Sequence, residues 1–437
     1  MKLFENYING IDSILQNKSY GEIRKANESY LPLSGTTRAS GTRTFSFSNQ
    51  VSKIGDSSKA LLNIDINELE TYFGKNKLSF STISIGPHPD FNELNYNESE
   101  KHYCVSMFVD IKGSTRLALT HSLEEVRLIK DSLLTLCIQV ANFFGGHVHR
   151  LQGDAAFIQF VRKGEHPNDS IINALNAASV LCQFVSSDLS TIFEQNNLNP
   201  IKIRVGLDYG RNDEVLWSYY GIKECNELTT TSLHTDLAAK LQAQATNNSI
   251  RIGKNVVDAL DLPSEFYSIP KKVENGAEFP DYYILKSPQL NYKQFVFDWQ
   301  KYLNTFDFYK KNNNGLLEIN KNTFTINCFI GETNESVNSK YYQNSFSIPK
   351  GYKIKYNLLR NGIPYHRASF DTIVWEAENR GVEAINDEAE KLDFNGVYNN
   401  QTCCMADAAY LGHHYLICKI KREHEDNIVI KFPIFVQ

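Results

Sequence analysis

The 437 residues, 42% of them hydrophobic, are enough for two or three packed cores and too many for one small binding module. A net charge of −5 makes no global electrostatic case for nucleic acid or an anionic membrane, while leaving room for a local basic pocket. The eight cysteines lack metal-type spacing, and the adjacent Cys403 and Cys404 suit neither a zinc knuckle nor an ordinary disulfide, so they read as reduced thiols.

Met1-Lys-Leu-Phe-Glu-Asn lacks the apolar centre of a signal peptide, and no run approaches the roughly 20 apolar residues of a membrane span. The expected location is the cytoplasm, with no membrane segment. Residues 1–98 read as an N-terminal extension. Leu3, Tyr7, Ile11 and Leu15 form an amphipathic helix, residues 33–43 a turn-rich exposed loop, and Val51 to Phe73 is helical in parts. Pro87-His-Pro-Asp-Phe is an extended, kinked entry to the next domain. His88 and Asp90 are not read as metal ligands, since one His beside Pro in a connecting segment is more often solvent-facing or a packing residue.

Cys104-Val-Ser-Met-Phe-Val-Asp110 is β-prone and apolar, a buried strand ending in an acid. It runs into Gly113-Ser114-Thr115, which sets free backbone N–H groups beside a carboxylate, an arrangement suited to a metal-bound polyphosphate. Leu123 to Phe144 carries apolar residues at helical spacing and stops at Gly145-Gly146. His147 to Gln152 and Ala155 to Phe160 read as a hairpin with Gly153-Asp154 at its tip. With the hairpin beside the first strand, Asp110 and Asp154 share divalent ions of the oxygen-seeking kind, magnesium or manganese. Taken singly, Asp110 also reads as a helix cap and Asp154 as an ordinary turn residue.

Ile172 to Phe184 is a helix, Pro200 to Leu207 a strand and Leu216 to Tyr220 a further strand. Leu233 to Ala243 is a helix with Asp236 and Lys240 on one face, which without other signals would be an exposed ion pair. The alternation predicts helices packed on a sheet. Tyr282 to Leu285 reads as the last strand of this domain. Residues 289–315 read as a helical linker from aromatics between Phe295 and Tyr309, ended by a polar hinge at Lys310 to Gly315. Residues 316–437 then carry alternating strands at Thr323 to Ile330, Tyr352 to Leu359, Tyr415 to Lys421 and Ile428 to Val436, with a turn at Asn361-Gly362: a β-sandwich pattern.

Phe108-Val-Asp-Ile-Lys-Gly-Ser-Thr115, Gly146-His-Val-His-Arg-Leu-Gln-Gly-Asp154, Ile203-Arg-Val-Gly-Leu-Asp-Tyr-Gly210 and Asp236-Leu-Ala-Ala-Lys240 resemble, in order and interval, the signatures of class III nucleotidyl cyclases. The match runs from Tyr103 to Leu285, within a cyclase domain placed at residues 99–288. With its C-terminal extension the chain resembles more narrowly the pyrimidine cyclases of Pycsar anti-phage systems. The expected fold is α+β: a class III α/β sandwich followed by a smaller β-sandwich similar to the sensor domains found after some cyclases, which implies an activating ligand of unknown identity.

The resemblance implies cyclisation of a nucleoside triphosphate with release of pyrophosphate, using two metal ions per site. Asp110, Asp154 and the Ile111 carbonyl would hold the metals, and Gly113, Ser114 and Thr115 would lie under the phosphates. Lys240 stands where the family has Arg at the α-phosphate, and Asp236 where it has Asn at the ribose. Arg150 takes the base-reading position; as a donor-only fork it matches O2 and N3 of cytosine, giving CTP over UTP and purines poorest. Thr229 falls near the second base-reading position. Each family site combines two subunits, so one complete set of residues implies a head-to-tail homodimer. A uridylate cyclase, an adenylate cyclase and a nucleotide sensor without turnover remain as alternatives.

Overall fold

The computed structural model describes residues 4–16, 62–312, 317–319, 323–394, 396–423 and 425–437. The loop expected at residues 33–43 lies outside them, as does the first part of the helical expectation from Val51. The N-terminal segment is part of the core. Phe4, just before helix α1 (Glu5–Gln16), and Tyr7, Ile8 and Ile11 within it are buried, and Tyr7 donates to the Ser132 carbonyl at 2.5 Å. Helix α2 (Ile66–Phe73) is capped by Asp65, whose carboxylate accepts from the Asn67 and Glu68 N–H groups.

Strands β1 (Ser99–Lys101) and β2 (Cys104–Ile111) come next, then helix α3 (Leu123–Phe143), started by a capping box between Ser122 and Glu125. The turn after β2 does not feed α3 directly. A 3₁₀ turn at Ser114–Arg116 and one helical turn at Leu117–Thr120 intervene, because Ser122 supplies the caps and Gly113 does not. Strands β3 (Gly146–Gln152) and β4 (Ala155–Phe160) form the expected hairpin, with Gly153 at φ +67 making its two-residue turn.

Helix α4 (Pro167–Phe184) continues through a π-helical turn, Val185–Leu189, into Ser190–Gln195. This run, Pro167–Gln195, is long and apolar enough to cross a membrane, but 89% of its apolar window is buried inside the fold, which marks a core helix. Strands β5 (Ile203–Gly210), β6 (Leu216–Ile222) and β7 (Cys225–Thr231), helix α5 (Leu233–Gln244), strand β8 (Ser249–Gly253) and helix α6 (Lys254–Leu260) follow. Then come β9 (Tyr267–Ser268), the hairpin of β10 (Lys271–Glu274) and β11 (Ala277–Pro280), β12 (Tyr283–Lys286) and β13 (Asn291–Phe297).

The main sheet has the order β12-β13-β8-β5-β2-β4-β3, and β6 joins β1 and β7 in a separate small sheet. Alternation along β5 assigns its faces. Val205 and Leu207 point into the core with α4, while Arg204, Gly206 and Asp208 face α5. Asp110 sits opposite Arg204 and shares that second face.

Over residues 289–312, the described part of the expected 289–315 linker, the chain is mostly strand and not one helix. Tyr292, Gln294, Phe295 and Phe297 are buried along β13, which takes a place inside the main sheet beside β8. Among the linker's described residues only Trp299–Leu303, helix α7, is helical. The aromatic run from Phe295 to Tyr309 thus mixes a strand period with a helix period. β12 is accordingly an edge strand, not the domain's last one. Lys310 and Lys311, expected in the hinge, belong to β14 (Tyr309–Lys311), which pairs with β15 (Leu317–Ile319); residues 313–315 of that expectation lie outside the described residues.

A second hydrophobic cluster lies between two sheets. One carries β16 (Phe324–Gly331), β17 (Ser339–Tyr341), β19 (Lys353–Arg360), β20 (Ile363–Pro364) and β23 (Cys403–Asp407). The other carries β18 (Ser347–Ile348), β21 (Thr372–Glu378), β22 (Lys391–Asp393), β24 (Gly412–Lys421) and β25 (Ile428–Val436). Asn361 and Gly362 both have positive φ and make the β19–β20 turn. All eight cysteines are free.

Candidate active site

β2 and β4 pair with Val109 opposite Ala156, which sets the hairpin tip beside the end of β2 and brings the Asp110 and Asp154 carboxyls close enough to interact. One Asp110 oxygen, Oδ2, already accepts from Gln242 Nε2 at 2.9 Å and is ion-paired to the Arg204 guanidinium. Burial raises the Asp110 carboxyl above its ordinary range and the neighbouring Asp154 raises it further, against the lowering effect of Arg204. Asp154 has Lys130 Nζ at 3.6 Å from Oδ1, while its buried Oδ2 has no hydrogen-bond partner.

A divalent cation fits this arrangement: two crowded acids, one orphaned buried oxygen and the exposed turn at Gly113 beside them. Among the described residues no group of three or more His, Cys, Asp and Glu side chains forms a metal cluster, so the two acids alone do not make a full ligand set. Ser114 is half-buried and Thr115 exposed at the turn.

Asp236 and Lys240 share an exposed face of α5, and no ion pair joins them among the described residues. Gln242, two residues on and therefore on a different side of the helix, is the residue that reaches Asp110. The acids of this chain and its Lys240 thus point in different directions. Helix α5 is fixed by contacts absent from the sequence reading. A Cβ on Gly206 would lie 2.2 Å from both the Ala238 carbonyl oxygen and the Gln242 nitrogen, so only glycine lets α5 settle on β5. At the helix start, His234 Nδ1 lies 2.9 Å from the buried Asp208 Oδ2, and Tyr292 donates to Asp208 Oδ1 at 2.8 Å.

Burial lowers the His234 imidazole, but the hydrogen bonds and charges of Asp208 and Glu214 together hold it above its ordinary range. Burial raises the Asp208 carboxyl, opposed by its bonds from His234 and Tyr292.

Arg150 lies opposite Phe157 on the sheet, and Phe157 stacks on Phe108 of the strand that carries Asp110 (4.4 Å between centroids). Its guanidinium is not free: Nε donates to Glu227 Oε1 at 3.0 Å and Nη2 to Glu227 Oε2. Glu227 was missed by the sequence reading. The one available signal is its spacing, two residues before Thr229 on the same face of β7. Thr229 is half-buried there. His88 is fully buried among Phe80, Phe91, His147 and Trp217, a packing residue, and Asp90 accepts from the Lys163 N–H at 2.9 Å.

Known proteins bear on this geometry. A cytidylate cyclase of Staphylococcus aureus is 38% identical over 81% of this chain and 82% of its own length. A cytidylate cyclase of Escherichia coli is 34% identical over 67% of this chain and 63% of its own. Residues 297–437 match the Adenylyl/Guanylyl and SMODS C-terminal sensor domain. This chain belongs to the class III nucleotidyl cyclases of the Pycsar type. The adenylyl cyclase CyaB of P. aeruginosa aligns at 15% identity and a TM-score of 0.38, over 46% of this chain and 95% of that one, a likeness too distant to add to the assignment. The cyclase domain carries the paired acids and the sensor domain the β-sandwich.

Proposed function

We propose that this cyclase converts CTP to 3′,5′-cyclic CMP and pyrophosphate, acting in the cytoplasm as the source of an anti-phage signal. The observation that carries this reading is the pairing of Asp110, near the end of β2, with Asp154 at the adjoining hairpin tip, in a chain related to cytidylate cyclases. Asp110, Asp154 and the Ile111 carbonyl would hold two magnesium or manganese ions. When bound, such ions lower the pKa of an attacking hydroxyl and neutralise leaving phosphates.

The rest falls to the protein. The N–H groups of Gly113, Ser114 and Thr115 line the phosphates. Lys240 brings positive charge to the α-phosphate, as a point charge without the planar fork of Arg. Asp236 accepts from a ribose hydroxyl, and Arg150, with Thr229 nearby, reads the base. Because Lys240 points away from its own chain's acids, the site closes between two subunits in a head-to-tail homodimer. An activating ligand belongs to the sensor domain, where Tyr356, Phe394, Tyr398, Tyr410 and Tyr415 help line a cavity of about 860 Å³.

Pure protein incubated with each of the four nucleoside triphosphates and manganese, with products resolved by mass, tests this. Cyclic CMP as the main product supports it; a cyclic purine product, or none, overturns it.

A further inference from the structure

Arg150 and Glu227 are 77 residues apart in sequence and meet with side chains 51% and 38% exposed. An ion pair this open contributes little to stability, so stability is a poor reason for its geometry. That geometry is nevertheless specific. The carboxylate takes the Nε and Nη2 edge of the guanidinium and leaves the Nη1 and Nη2 end free. Behind it sits the His149 ring, 1% exposed, with Nε2 at 3.1 Å from Glu227 Oε1 and Nδ1 at 3.1 Å from the Gly86 carbonyl oxygen. Glu227 Oε1 thus lies against both the buried ring and Nε of the guanidinium, while Oε2 meets the guanidinium at Nη2.

We propose that Glu227 is a base-selecting residue that accepts from the exocyclic amine of cytosine while Arg150 donates to N3 and O2. This rests on the pyrimidine-cyclase reading and names a residue that reading does not require. Along one edge the pair presents acceptor, donor, donor: Oε2 of Glu227, then Nη2–H, then Nη1–H of Arg150. It is the order of guanine's own pairing edge. Cytosine offers the complement, donor at N4 and acceptors at N3 and O2. Uracil opposes it twice, setting O4 against the carboxylate and N3–H against a donor. Adenine satisfies the first two positions and leaves the third donor facing a C–H group. Discrimination against uracil therefore comes from Glu227 as much as from Arg150, since Arg150 alone could still reach O4 or O2 of uracil.

The test compares kcat/KM for CTP and UTP in wild type, Glu227→Gln and Glu227→Ala, each with its melting temperature. In Glu227→Gln the amide can donate to O4, so the CTP-to-UTP ratio is expected to fall about tenfold or more through a gain with UTP as well as a loss with CTP. Glu227→Ala should also lower the ratio, since it removes both the acceptor for the cytosine amine and the carboxylate that opposes uracil O4. Variants that melt like wild type and keep the wild-type ratio overturn the inference, as does an equal loss with both substrates. A wild-type enzyme that cyclises no pyrimidine nucleotide at all overturns the underlying reading instead, and the two failures are separable because the ratio is read only where wild type turns over CTP or UTP.

Discussion

Asp110 and Asp154 are costly to hold side by side, and the cost has a pH signature. The Asp110 carboxyl is raised from its ordinary value of 3.8, so between that value and its folded value the native state binds more protons than the unfolded chain. Stability therefore falls as pH rises through that window and stays lower above it. Asp110→Asn should melt at or above the wild-type temperature at neutral pH, with the advantage shrinking as pH falls towards 4, while cyclisation is lost. A variant that melts well below wild type at neutral pH, or keeps full activity, contradicts this. Manganese should raise the wild-type melting temperature and leave that of Asp154→Ala nearly unmoved, a readout independent of turnover. The two acids were legible in the sequence because a strand ending in Asp and a Gly-Asp hairpin tip are local patterns. The partners Arg204, Gln242 and Glu227 were not, since each contact depends on which strands lie side by side, and no local period encodes that.

At the scale of elements, α5 is the piece that positions the most chemistry and is held by the least visible contacts. Gly206→Ala should push the helix off β5, costing about 1–3 kcal/mol or more by overpacking, with activity falling further than stability because Gln242 leaves Asp110. Urea unfolding and turnover measured together check the ordering; a fully active, stable variant contradicts it. His234→Ala removes the partner of buried Asp208 and should cost about 3–5 kcal/mol. Helix α5 itself is readable from spacing, whereas nothing local distinguishes Gly206 from any strand glycine, because the Ala238 carbonyl over it comes from a helix further along the chain. The opposite error occurred at Phe295 to Tyr309. There, aromatics that serve a buried strand and then a short helix imitate one longer helix, and pairing with β8 decided the first half.

Across the whole molecule the sensor domain is built onto the cyclase. Asp169 of α4 accepts from the Ser347 N–H at 2.8 Å and hydroxyl at 2.6 Å, and Asn176 accepts from Tyr302 and donates to the Asn344 carbonyl. Tyr415, Ile417 and Phe435 of the sensor sheets are members of the first core cluster. Asp169→Ala should cost about 2–3 kcal/mol in denaturant unfolding by stripping these donors of their acceptor. None of this was visible in sequence, where the change from mixed to purely β pattern suggested separable units. The measurement that bears most directly on the active site is subunit complementation. Asp110→Ala and Lys240→Ala, each expected to be inactive alone, are mixed at equal amounts under conditions of demonstrated subunit exchange and given CTP. A site shared between subunits predicts one intact site in each heterodimer, or roughly a quarter of wild-type cyclic CMP formation. No recovery despite exchange would mean that acids and Lys240 act within one chain, and the account of the site would be wrong.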